Sequence, residues 1–159
     1  MTELQTIASI PPDYETVLDK SSFLFDQISA IAVAHETLDT LCDSLKVAQL
    51  RESLVCAIAD LAGLGNAECH KMIGQNPQGE LPEFEAALGN IWPLFGQISA
   101  VAKAYISLNL CDEDEKEKTR DDLASVFDNL AKTGLKECGK WERFEADCRK
   151  QRTEDMRHE

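Results

Sequence analysis

Glycine and proline are scarce in this 159-residue chain, at eight and five residues. Most fall near the start or between Gly63 and Gly96, which leaves room for long helices elsewhere. Positive charge is also short. Sixteen Lys and Arg face 29 Asp and Glu, for a formal net charge of −13. Such a surface repels nucleic-acid phosphate and anionic lipid alike, so neither direct nucleic-acid binding nor membrane binding is expected. It suits a protein partner with a basic surface, or mimicry of a polyanion; plain solubility is the alternative.

Long apolar runs are missing as well. No stretch approaches the ~18 apolar residues needed to cross a bilayer. The opening MTELQTIASIPPDYE has neither the basic region nor the apolar run of a signal peptide. The expected location is therefore the cytoplasm, where the six cysteines should be reduced and buried rather than disulfide-bonded. None forms a C-x-x-C pair, so a zinc-knuckle or thioredoxin-like reading lacks its signature.

Catalytic motifs are absent too. There is no Gly-rich phosphate loop, no serine elbow, and no Glu-x-x-His of the ferritin-like di-iron kind. No carboxylate pair stands out from the helix surface charge. The expectation is a protein that is not an enzyme and needs no cofactor.

What the sequence does contain is a repeat. FDQISAIAVAHETLDTLCD, from Phe25, returns as FGQISAVAKAYISLNLCD, from Phe95, at an offset of 70. Upstream, Pro12, Glu15, Leu18 and Leu24 return as Pro82, Glu85, Leu88 and Leu94. One residue is then lost, and the match resumes at an offset of 69: Cys42, Asp43, Arg51, Leu54 and Leu61 return as Cys111, Asp112, Arg120, Leu123 and Leu130. Ala62, Gly65, Glu68, Cys69 and Lys71 return as Ala131, Gly134, Glu137, Cys138 and Lys140. Composition bias yields scattered Ala and Leu matches; it does not yield matched Pro, Gln, Arg, Gly and Cys.

Each copy reads as a helical hairpin. Leu24, Ile28, Ile31, His35, Leu38, Cys42 and Leu45 alternate steps of four and three, which predicts a seam on one helix face. The second helix has a wide apolar face: Leu50, Leu54, Ala57, Leu61 and Leu64, with Val55, Ile58, Ala62, Gly65 and Cys69 alongside. Gly74, Pro77, Gly79 and Pro82 interrupt the pattern. Four helices are predicted, at about 13–45, 48–73, 82–110 and 117–150, with 1–10 and the tail from about 151 frayed. The fold expected is one all-α domain over 1–159. It is a four-helix up-down-up-down bundle with pseudo-twofold symmetry, its repeats at 11–74 and 81–144 and a charged extension at 145–159. The same faces also suit a homodimer.

The pattern of copy one is a seam ending near Leu45, then Arg51-x-x-Leu54, Ala57-Ile58 and Leu61-x-x-Leu64-Gly65. It resembles the small uncharacterised two-helix proteins of pseudomonads over perhaps forty residues. The resemblance implies a bacterial helical hairpin and carries over no site and no activity.

Recurring small residues predict close helix packing: Ala30 and Ala34 with Ala100 and Ala104, and the Ala62/Gly65/Cys69 set with its counterpart. Cysteines are expected to pair by end, Cys42 with Cys111 and Cys69 with Cys138. They read as a redox or soft-metal site, or as small apolar core residues. His35, Asp39 and Cys42 share a face and form a partial metal set that copy two, with Tyr105, Asn109 and Cys111, does not repeat. A packed His35 bonded to Asp39 is the alternative. A phosphotransfer histidine would carry a lysine three residues on, and His35-Glu36-Thr37-Leu38 does not.

The copies differ most in CDSLKVAQLRES against CDEDEKEKTRDD. The first holds Leu45, Val47 and Leu50; the second holds Asp112, Glu113, Asp114 and Glu115. Both are expected at one end of the bundle, as an apolar patch beside an acidic one for a basic partner. The alternative puts the leucines and valine in the core and leaves a solvated loop. The aromatics differ too: Trp92, Phe127 and Trp141 stand where copy one has Ser22, Ile58 and Met72. Trp141 and Phe144 are expected to extend the core, and Pro93 to kink or split its helix.

The function expected is thus a non-enzymatic protein-binding module of inhibitor, immunity-protein, chaperone or adaptor type, acting through an acidic surface. One alternative is a sensor using Cys42, Cys111, Cys69, Cys138 and His35 for a metal or oxidant. Another is a phage-type anti-defence protein that mimics nucleic-acid charge.

Overall fold

The computed structural model describes residues 12–39, 45–73, 82–108 and 113–156. They form four helices: α1 (Pro12–Asp39), α2 (Leu45–Met72), α3 (Pro82–Ser107) and α4 (Glu113–Asp155). Pro12 and Pro82 open α1 and α3, at the position where a missing amide proton forfeits no helical bond. Glu83 and Glu85 lie in the first turn of α3, and His70 and Lys71 in the last turn of α2, each matching the local end of the helix dipole.

Successive helices run antiparallel. Lys20, early in α1, meets Glu68, late in α2, at 3.3 Å, while Arg51, early in α2, donates to the Leu38 carbonyl late in α1 at 3.2 Å. The second hairpin repeats the arrangement: Asn90 of α3 donates to Glu137 of α4 at 3.1 Å. Around the bundle α1 packs on α2 and α4, and α3 on the same two. The diagonals are unequal. Side chains of α1 and α3 meet at the centre, while no described Cα of α2 comes within 8 Å of one of α4.

The core is built from matched layers. On α1, Leu18, Ser21, Phe25, Ile28, Ala32 and His35 are buried, at alternating steps of three and four. Their partners seventy residues on are Leu88, Ile91, Phe95, Ile98, Ala102 and Tyr105, all buried. Val55, Ile58, Ala62, Gly65, Cys69 and Met72 of α2 match Ala124, Phe127, Ala131, Gly134, Cys138 and Trp141 of α4, again all buried. A pseudo-twofold axis along the bundle relates the hairpins.

This seam is turned from the expected one. Leu24, Ile31 and Leu38 are only partly buried, on the flank of α1 that meets α2. Leu50 and Leu64 are exposed. The centre belongs to small residues and two phenylalanines, because the α1–α3 approach leaves no room for a leucine in every layer. The Phe25 and Phe95 rings stack at the axis with centroids 4.1 Å apart and planes 4° apart. Each ring also lies against a helix backbone, Phe95 on Gly65 and Phe25 on Gly134. Those glycines therefore serve ring-on-backbone packing rather than the contact of two backbones. Ala30, Ala34, Ala100 and Ala104 are exposed and take no part in close packing.

Pro93 does not split α3, which runs unbroken from Pro82 to Ser107. Pro93 and Gly89, whose carbonyl loses its donor, are both exposed, so water can take the missing bond. Trp141 is buried as expected, edge-on to Phe84 at 5.6 Å and tilted against Phe144 at 5.4 Å. Cys148 is buried beyond it, so the core continues along α4.

Candidate functional site

The end of the bundle holding the C-termini of α1 and α3 and the N-termini of α2 and α4 has a polar floor. His35 is 1% exposed, and its Nε2 lies 2.8 Å from the Tyr105 hydroxyl. The two residues are counterparts in the repeat and meet across the pseudo-axis, with their rings edge to face at 5.3 Å. His35 is thus a packed histidine, but its partner is Tyr105 of the other hairpin. The Asp39 side chain and Cys42 lie outside the described residues. Such burial leaves His35 no route to a phosphoryl donor.

Two matched arginines flank this pair. Arg51 bonds the Leu38 carbonyl, where a cation also suits the negative end of the α1 dipole. The Arg120 guanidinium lies over the Tyr105 ring, 5.9 Å from its centroid. Burial, and then the Arg51 charge, depress His35 from 6.5 to about 4; Asp121 opposes this and Arg120 adds to it. His35 is therefore neutral at pH 7. Its Nδ1 is buried with no hydrogen-bond partner among the described residues.

Above this floor the two hairpins differ as their sequences do. Leu45 is 78% exposed and Leu50 48% exposed, while Val47 is half-buried. The leucines therefore do not join the core. Their counterparts on α4 are Asp114 and Thr119. Glu113, Asp114 and Glu115 form the first turn of α4, at the same end of the bundle; Asp112 lies outside the described residues. Spacing in the sequence does not by itself single out Tyr105 and the two arginines as a site. The repeat adds the signal: His35 and Tyr105 at one offset and Arg51 and Arg120 at the other, all close to the loops.

Cys42 and Cys111 lie outside the described residues. Cys69 and Cys138 are buried and free. They stand on α2 and α4, across the long diagonal, so their Cα atoms are more than 8 Å apart, beyond disulfide reach. Burial raises both thiols. For Cys69 a 3.7 Å contact with the Ser21 hydroxyl partly offsets this, whereas Cys138 is pushed up to about 12, with the Glu142 carboxylate adding to the effect. Protonated, buried thiols are poor nucleophiles and poor metal ligands. Among the described residues no group of three or more His, Cys, Asp or Glu is placed to hold a metal ion, and no helix is long and apolar enough to cross a membrane.

Compared with known proteins, the chain matches no family model, no curated protein and no solved structure.

Proposed function

We propose that this protein is a non-enzymatic protein-binding module. It would present the loop end of the bundle to a partner with a basic surface and an apolar anchor. The observation that carries this reading is the exposure of Leu45 and Leu50 at positions where the second hairpin, on the same scaffold, has Asp114 and Thr119. The second hairpin shows that the fold tolerates polar residues there. Two exposed leucines, at the same end of the bundle as the start of α4 but across the long diagonal from it, thus have no structural role that the scaffold demands. A partner covering them would bury apolar area at the centre and meet carboxylates at the rim, which gives specificity and fast association.

The test is affinity capture from the native host with salt elution, followed by binding measurements on the purified partner. Replacing Asp112, Glu113, Asp114 and Glu115 with serine should weaken the complex and leave the helical content intact. Unchanged affinity would overturn the acidic part of this reading. Competition for the same partner by DNA or RNA would point instead to mimicry of a polyanion.

A further inference from the structure

The pseudo-twofold axis makes two grooves between the hairpins, α1 against α4 and α3 against α2, and their surfaces differ. The α1–α4 groove is lined by Asp19, Ser22, Phe23 and Asp26 of α1 with Leu135 and Glu142 of α4. The matched positions on the other side are Gly89, Trp92, Pro93 and Gly96 of α3 with Asn66 and Ile73 of α2. One groove carries three carboxylates; its counterpart carries no charge at those six positions. The scaffold therefore does not require the charges.

Phe23 is 62% exposed in the middle of this groove. Asp19 and Asp26 lie on either side of it, two turns apart, at about 10 Å along the helix. That exceeds the Debye length of about 8 Å at physiological salt, so their mutual repulsion is largely screened and both remain open to a cationic partner. Glu142 faces them from α4. Other carboxylates along α1 and α4 are ion-paired: Asp128 with Lys132, and Glu15 and Glu145 with Arg149. Asp19, Asp26 and Glu142 have no ion pair among the described residues. Phe23 stands outside the core, and the three carboxylates stand outside the ion pairs of the described residues.

We infer that the α1–α4 groove docks a basic amphipathic helix of a partner protein. Phe23 would take its apolar side, and Asp19, Asp26 and Glu142 its lysines or arginines. Charge complementarity selects this occupant. The inference rests on the protein-binding reading but puts the contact on the side of the bundle rather than at its loop end.

The test uses a synthetic amphipathic helix of leucine and lysine, with a leucine–glutamate analogue as control. Binding is read by fluorescence anisotropy at low and high salt and mapped by amide chemical shifts. The lysine peptide should shift amides along the α1–α4 groove, in a salt-sensitive way. Phe23→Ser, and separately the triple variant Asp19→Asn, Asp26→Asn, Glu142→Gln, should each weaken binding about tenfold or more. All four positions face solvent, so helical content should hold; if Phe23→Ser fails to fold, the charge variant carries the test alone. Leu45→Asp with Leu50→Thr should leave this binding unchanged. Equal binding of the glutamate peptide, or groove variants that bind like the wild type, would overturn the groove. Loss of binding in the Leu45/Leu50 variant alone would overturn it too, while leaving the loop-end reading intact.

Discussion

Phe25 and Phe95, counterparts seventy residues apart, stack ring on ring at the centre of the bundle, 4.1 Å between centroids. Each is held from behind by a glycine of the adjacent hairpin's second helix. That layer contains two large side chains and two that are missing. It explains why the repeat keeps Phe and Gly together, and why α1 and α3 occupy the short diagonal.

The first prediction concerns those glycines. An added Cβ at Gly65 or Gly134 would fall well under 3.0 Å from ring carbons of Phe95 or Phe25. Overpacking of this kind costs about 1–3 kcal/mol, and the gain in helix propensity offsets about 0.5–1 kcal/mol of it. Gly65→Ala and Gly134→Ala should therefore lower the urea midpoint. Gly63, Gly96 and Gly139 have nothing within 4 Å of such a Cβ, so alanine there should raise it. Equal effects at all five positions would contradict the ring-on-glycine layer.

A second prediction concerns pH. His35 titrates near 4 in the folded chain and near 6.5 when unfolded. As pH falls through 6.5, the unfolded chain takes up the proton first, so stability drops between 6.5 and 4 and levels off below. The full loss is roughly 3 kcal/mol. His35→Gln retains a hydrogen-bonding group for Tyr105 but no titration. Its stability should fall less over that window, the remainder coming from Glu68, Asp128 and Glu137, whose lysine partners hold their carboxyls below the usual range, as read by denaturation at stepped pH. The same slope in both proteins would place the charge change elsewhere.

Third, thiol labelling should divide the described cysteines. Cys56 is exposed and should react in the native state, while Cys69, Cys138 and Cys148 are buried and should react only on unfolding. Site-resolved mass spectrometry after a short alkylation pulse would show it. Fast labelling of Cys69 or Cys138 in the native protein would favour the sensor reading.

The helices, their order and the twofold relation were legible because the repeat is strong and its period is helical. The phase of the seam was not. Leu24, Ile31 and Leu38 are larger than Ser21 and Ala32, so size drew the expected seam onto the flank, whereas room at the short diagonal selects small residues. Nor does spacing reveal which diagonal is short, and the His35–Tyr105 pair depends on it. The loop-end asymmetry could be read directly from the sequence; the α1–α4 groove could not, since its residues come from opposite ends of the chain.

The account stands most directly on the two exposed leucines. Leu45→Asp with Leu50→Thr gives the first hairpin the residues of the second at the loop end. The measurement is the affinity of the captured partner for this variant and for the wild type, with thermal midpoints taken alongside. The account predicts binding about tenfold or more weaker at an unchanged midpoint. Equal affinity would contradict it.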